Sequence, residues 1–280
     1  MIATQFARPA AVALCLALFA AAGFAQDKPA AQEYQPEVGQ SGKDVVWVPT
    51  PQALVDRMLD MGKLTPKDFH MDLGSGDGRT VITAAKRGAN SLGIEYNPDM
   101  VALSQRNAAK EGVSARAKFV KADLFETDFS KADLITLFLL PDINLKLRPK
   151  ILDLKPGTRI VSNSFTMGEW QHDRSAQATE KEGCQSYCTA YLWIVPAKVG
   201  GTWKLPDGEL TLKQEFQMLT GTLTSGGRKS AVKGRMDGAN ISFKAGAAQY
   251  SGRVSGDAIK GTVKSGSGAS EWSAARAAKS

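Results

Sequence analysis

Between Val45 and Lys198 the hydrophobic pattern switches repeatedly between two periods. Short apolar runs suited to strands alternate with stretches whose apolar residues recur every third or fourth position, as on one face of a helix. The first such stretch opens at Thr50-Pro51, a capping hydroxyl followed by proline at the first helical position. It carries Leu54, Met58 and Met61 on one face and stops at Gly62. Strands are expected at Phe69–Leu73, Ser91–Glu95, Ala117–Lys121, Leu134–Leu139 and Arg159–Asn163, with a late one at Tyr191–Val195. The helices between them cover Thr80–Arg87, run from Asn97-Pro98 to Lys110, and cover Ile143–Leu152, the last kinked or divided by Pro149. Leu134–Leu139 is apolar except for Thr136, the composition of a strand covered on both faces. The alternation predicts an α/β domain with a mostly parallel sheet covered by helices.

After Lys198 the pattern changes to short runs of period two. They cover Glu209–Gln214, Met218–Leu223, Ala231–Met236, Ile241–Lys244, Tyr250–Val254 and Ala258–Val263, with Asp237-Gly238 and Gly256-Asp257 as tight-turn pairs. Val232-Lys233-Gly234-Arg235 is echoed by Tyr250-Ser251-Gly252-Arg253, and Thr220-Gly221-Thr222-Leu223 by Lys260-Gly261-Thr262-Val263. These runs predict a small antiparallel β-barrel or curved sheet of six to eight strands with one wet face. It contains no His or Cys, and a binding or packing role is its default reading.

A chain of 280 residues suits two domains, and a net charge of +7 without long basic runs suits a solvated surface. Arg8 precedes an apolar run, Ala10 to Ala25, that ends in small residues before Gln26-Asp27. That is the pattern of a secretory signal peptide over residues 1–25, cleaved after Ala25, and it implies a periplasmic or secreted protein. The run is too short for a stable membrane span. Residues 26–44, rich in Gln, Lys, Pro, Ala and Gly, read as a flexible lead-in to an α/β domain over 45–198 and a β domain over 199–280. Outside the signal segment the cysteines are Cys184 and Cys188. In an oxidising compartment they can pair, provided that the residues between them turn. His70 and His172 lack metal-ligand spacing to them or to each other, so no metal is expected, and His70 reads as structural.

The chemistry concentrates at successive strand ends. Asp72-Leu73-Gly74-Ser75-Gly76-Asp77-Gly78 follows the first expected strand, where glycines let the backbone bend and approach a ligand. Arg79 stands where a dinucleotide fingerprint needs its third glycine, and two carboxylates there would repel a pyrophosphate. They suit S-adenosylmethionine instead, which is phosphate-free and cationic. Glu95, at the end of the second strand, is placed to accept ribose hydroxyls, and Asp123, past the third, to accept from the adenine amino group. Together these three acids point to a Rossmann-like sheet that binds a nucleoside along its carboxyl edge.

Residues 47–170 resemble the seven-β-strand (class I) S-adenosylmethionine-dependent methyltransferases, and within them the lysine methyltransferases of the ATP-synthase c-subunit and the adenine nucleotide translocase. The resemblance is carried by Val48-Pro49-Thr50-Pro51, the Asp72–Arg79 turn, Gly93-Ile94-Glu95-Tyr96-Asn97-Pro98, Arg159-Ile160-Val161-Ser162 and Phe165 through Trp170. It implies that Asp72, Gly74, Ser75, Gly76 and Gly78 hold the methionine part, Glu95 the ribose and Asp123 the adenine, and that Thr50 closes over the methionine end. It implies a protein lysine as methyl acceptor. A small-molecule acceptor, or a non-catalytic S-adenosylmethionine-binding envelope protein, are the competing readings. Phe138-Leu139-Leu140-Pro141 replaces the Asn-Pro-Pro-Tyr of amide and adenine methyltransferases, which argues against nucleic acid. An unprotonated amine needs an apolar channel. Phe138, Phe165 and Trp170 are the channel candidates, and Asp142 could assist the amine or cap the following helix.

Overall fold

The computed structural model describes residues 1–5, 33–266 and 268–278. Residues 6–25 of the expected signal peptide, and 26–32 of the expected lead-in, lie outside the described residues. Strands β1 (Phe69–Leu73), β2 (Asn90–Glu95), β3 (Ala117–Lys121), β4 (Leu134–Leu137) and β5 (Arg159–Asn163) are mutually parallel. With β6 (Arg174–Gln177) and β7 (Thr189–Ile194) they form one sheet in the order β3-β2-β1-β4-β5-β7-β6, in which β7 runs antiparallel to both neighbours. The order reverses between β1 and β4, so a crevice opens there at the carboxyl edge.

Residue alternation along each strand supplies both faces. Leu134 and Val161 join Leu54, Val55, Met58 and Leu59 of α1 (Gln52–Met61) in one core, with Ala84 of α2 (Arg79–Lys86). Their chain neighbours Ile135 and Ile160 face the other way, onto Ile143, Leu147 and Ile151 of α4 (Pro141–Leu152). Helix α3 (Pro98–Lys110) packs Val101 and Ala108 with Val81 and Ala85 against Ala117 and Phe119 of β3.

Four expectations are corrected. Thr50 does not cap α1: Pro51 takes the N-cap position in extended conformation, and the Thr50 hydroxyl accepts from Asn163 Nδ2 at 3.3 Å. Helix α4 passes Pro149 unbroken, because Pro149 and Leu145, four residues earlier, are both exposed and water can take the carbonyl that the ring leaves unpaired. Strand β4 ends two residues early, which releases Phe138 from the sheet. Residues 34–44 are not an unstructured lead-in but fold back on Val45–Trp47. Gly39 N donates to Trp47 O at 2.8 Å, Trp47 N to Gln40 O at 2.9 Å, and Ser41 bridges Val46. Strand β6, the polar edge sequence Arg-Ser-Ala-Gln, has no apolar pattern to announce it. Before β7 the chain coils through a 3-10 turn at Glu180–Glu182. Cys184 and Cys188 there form a disulfide with their Cα atoms 5.8 Å apart, where a straight strand would hold them about 13 Å apart.

The second part is a closed antiparallel barrel of eight strands in the order β10-β11-β12-β13-β14-β15-β8-β9. Those beyond the six expected runs are β8 (Gly201–Leu205) and β15 (Gly268–Arg276), and they close it. The remaining strands are β9 (Gly208–Glu215), β10 (Met218–Ser225), β11 (Arg228–Asp237), β12 (Asn240–Ala245), β13 (Ala248–Ser255) and β14 (Ala258–Ser265). Two-residue turns join them, with Gly238, Gly246 and Gly256 in the left-handed region that tight hairpins need. Trp203, Leu210, Leu219, Met236, Ile241 and Phe243 fill the interior, so the barrel is a packed core.

Candidate functional site

The turn after β1 is built for close approach. Gly74, Gly76 and Gly78 all have positive φ, between 54° and 84°. A Cβ on Gly76 would lie 2.7 Å from Trp47 Nε1, and one on Gly78 would strike the Phe119 ring at 2.8 Å. The Glu95 carboxylate locks this turn, accepting from Gly76 N through Oε2 and from Asn97 N through Oε1, both at 2.9 Å. Each oxygen keeps a second acceptor direction. Asp77 is held away in an ion pair with Arg79, whose Nη1 also donates to Thr50 O at 2.9 Å.

Asp72 is buried, and burial pushes its carboxyl up to about 7, against the opposing hydrogen bond from Thr136 and with Asp77 and Glu95 adding to the rise. Its Oδ1 accepts from the Thr136 hydroxyl at 2.5 Å. Thr136 Oγ1 meets His70 Nε2 at 2.8 Å, and His70 Nδ1 meets Ser91 Oγ at 2.6 Å. Burial lowers His70 to about 3, so the ring is neutral. With Thr136 donating to Asp72, His70 Nε2–H must donate to Thr136 and Nδ1 accept from Ser91. His70 is thus a buried structural residue whose hydrogen bonds link Ser91, through Thr136, to Asp72.

Around this turn two recesses share Trp47, Val48, Gly74 and Gly76 as a common wall. One is lined by Glu95, Tyr96, Met100, Asp123, Leu124 and Leu139. The other is lined by Pro49, Thr50, Asp72, Ser75, Asp77 and Phe138. The hairpin of residues 34–47 roofs the first and delivers Lys43, whose Nζ lies 2.5 Å from Asp123 Oδ2 and 4.7 Å from the Tyr96 ring centre. That pairing, with a bond from Phe125 N, holds the Asp123 carboxyl below its ordinary range.

The acceptor candidates divide. Phe138 and Phe165 stack with ring centres 6.0 Å apart, and Tyr187, which the sequence pattern did not single out, joins both. Trp170 is elsewhere. It is fully buried, 6.3 Å from Trp193 and stacked on Phe216 of the barrel at 5.9 Å, so it serves packing rather than an acceptor channel. Asp142 lies exposed in the first turn of α4, where its charge suits the helix N-terminus. No group of metal-binding side chains occurs among the described residues.

The strand order, the glycine turn and the acids at the carboxyl ends of β1, β2 and β3 define a class I S-adenosylmethionine-dependent methyltransferase. The residues fit that cofactor. Ser75 Oγ is buried without a partner among the described residues, the three glycines give the turn the positive-φ backbone that such a cofactor loop needs, and the acids suit a cationic nucleoside. The model of the ANTKMT methyltransferase domain family matches residues 72–174. A protein-lysine N-methyltransferase of Saccharolobus islandicus is 40% identical over 154 residues, covering 54% of this chain and 94% of that protein. The human lysine N-methyltransferase of the ATP-synthase c-subunit is 38% identical over 104 residues, 37% of this chain and 45% of that protein. A solved structure of an RNA methyltransferase from Salinibacter ruber, in complex with S-adenosyl-L-homocysteine, is 44% identical. It covers 54% of this chain and 96% of that one, with a TM-score of 0.50. The chain belongs to this lysine N-methyltransferase family of S-adenosylmethionine-dependent enzymes.

Proposed function

We propose that the protein methylates the ε-amine of a lysine on an acceptor protein, in a compartment outside the cytoplasm. The observation that carries the acceptor is the continuity of two sites. Phe138 lines the recess of Asp72 and Thr50 and also belongs to the aromatic group with Phe165 and Tyr187. The names of the relatives from Saccharolobus islandicus and human, both lysine N-methyltransferases, support the same choice. The compartment rests on the charged, apolar and small-residue sequence of the first 25 residues and on the disulfide.

When bound, S-adenosylmethionine supplies an electrophilic methyl group. Asp72 and the glycine turn would hold its methionine part, Glu95 its ribose and Asp123 its adenine, and Trp47 lines both recesses. What the chain adds is alignment and desolvation. An amine that enters among aromatic rings loses hydration, which favours the unprotonated, nucleophilic form. Ser164, Asn163 and Thr50 tie the acceptor side to the methionine side. The Ser164 hydroxyl donates to Asn163 Oδ1 at 2.8 Å, and Asn163 donates to Thr50.

The test is calorimetry with S-adenosylmethionine, followed by transfer of labelled methyl into cell-envelope extracts. Wild type should bind and should label protein at lysine. Glu95→Ala should weaken binding at least about a hundredfold, since two charge-assisted bonds to the ribose are lost. Label in RNA would favour the reading suggested by the Salinibacter ruber structure, and label in small molecules would move the acceptor there. Binding without transfer to any fraction would leave a cofactor-binding protein that is not an enzyme.

A further inference from the structure

The three rings beside the methionine recess come from three separate segments: Phe138 after β4, Phe165 after β5, and Tyr187 from the loop before β7. Their centres form a triangle with sides of 6.0, 5.2 and 6.1 Å. None of the three belongs to a buried hydrophobic core, and Tyr187 is 44% exposed. Packing stability therefore does not account for the cluster. A half-buried group of large apolar side chains contiguous with a binding cleft, one of them exposed, is instead the usual sign of a ligand surface.

The backbone that presents the rings is itself unusual. Tyr187 has φ +54°, a conformation rare for a bulky residue, and Ser164, immediately before Phe165, has φ +60°. Phe165 N donates to Asn163 O at 2.7 Å across that tight turn, and the Asn163 side chain reaches Thr50. Tyr187 lies inside the five-residue loop that the Cys184–Cys188 disulfide closes. Cys184 is anchored in the core under α1, whereas Gln185, Ser186 and Tyr187 are exposed. The bridge thus fixes both ends of a segment that has few contacts to hold it otherwise.

We propose that Phe138, Phe165 and Tyr187 form the site for the aliphatic stem of the acceptor lysine, and that the Cys184–Cys188 disulfide sets Tyr187 as its third wall. The assignment rests on the lysine reading above and adds to it a residue and a covalent constraint. The four methylenes of a lysine side chain can lie against three ring faces. The same faces attract an alkylammonium, which gives methylated states a place to reside. Tyr187 then determines acceptor affinity without touching the cofactor, and reduction of the disulfide weakens acceptor capture.

The experiment uses the full oxidised protein with labelled S-adenosylmethionine and Nα-acetyl-lysine amide as acceptor, beside an NMR titration with n-butyltrimethylammonium. Tyr187→Ala should raise the acceptor KM about tenfold, the loss of one ring contact. Tyr187→Phe should stay near wild type, and Cys184→Ser with Cys188→Ser should resemble Tyr187→Ala. In all of them the Kd for S-adenosylmethionine should stay within about twofold of wild type. An unchanged KM in Tyr187→Ala, or a loss that tracks cofactor affinity, overturns the assignment while lysine methylation stands. If wild type labels neither this acceptor nor any protein lysine, the lysine reading fails, and the titration decides the ring site separately. Alkylammonium binding that Tyr187→Ala abolishes supports the ring site, and no binding overturns it.

Discussion

Asp72 concentrates the electrostatics of the cleft in one side chain. Burial raises its carboxyl to about 7, so the protonated and ionised forms compete near neutrality. The cationic methionine end favours the ionised form, so binding should pull this pKa down and release a proton. Affinity for S-adenosylmethionine should therefore rise about tenfold from pH 6 to pH 8 and level off above. Calorimetry at pH 6.5 in buffers of different ionisation enthalpy should detect the released proton, and Asp72→Asn should flatten the profile. For folding the sign is opposite: the native state holds this proton more tightly than the unfolded chain, so the contribution falls as pH rises from about 4 to 7. Asp72, Glu95 and Asp123 could be read in the sequence because each lies at or just past the carboxyl end of a strand. The coupling of Asp72 to His70 could not, since Thr136 and Ser91 reach them across neighbouring strands.

Among the elements, the hairpin of residues 34–47 departs furthest from what its composition suggests. Its polar, proline-bearing sequence has no strand period, and its order comes from backbone bonds and from Trp47 and Val45 packing onto the α/β domain. Trp47 lines both recesses of the cleft, so Trp47→Ala should weaken S-adenosylmethionine binding by about tenfold or more through lost apolar contact. A calorimetric Kd checks this, and a wild-type value would show that the hairpin is no roof. The regular elements are more legible. The boundaries of β1, β3 and β5 coincide with the short strand segments expected from the sequence, and the Asn97-Pro98 cap opens α3, with Asn97 Oδ1 accepting from Asp99 N at 2.9 Å. Strand β6 and the closing strands β8 and β15 carry no such signal, because edge and closure positions need no continuous apolar pattern.

At the scale of the molecule, the barrel carries most of the charge. Residues 199–280 hold twelve Lys or Arg against six Asp or Glu, a net +6 of the chain's +7. The part bearing the acidic cleft is thus nearly neutral. The two parts join where Phe216, in the turn between β9 and β10, stacks on Trp170 under the Arg148 guanidinium. Gln217 Nε2 donates to Gln171 O at 2.8 Å beside it, and Arg235 pairs with Asp173. Phe216→Ala should lower stability by about 1–3 kcal/mol, seen as a drop in Tm or a split thermal transition, while cofactor affinity stays unchanged. A single transition at the wild-type Tm would mean that the junction contributes little.

The sequence alone determined the strand–helix alternation, the closed or curved β architecture after it, and the three acids of the cofactor cleft. Each of these is encoded locally, by hydrophobic period, by turn chemistry, or by a residue's distance from a strand end. The tertiary structure alone decided which aromatic residues gather at the cleft and which pack against the barrel. Phe138, Phe165 and Trp170 are equally apolar in sequence, yet two meet Tyr187 at the cleft and the third is buried against the barrel. That division depends on contacts between segments far apart along the chain, which no local pattern records.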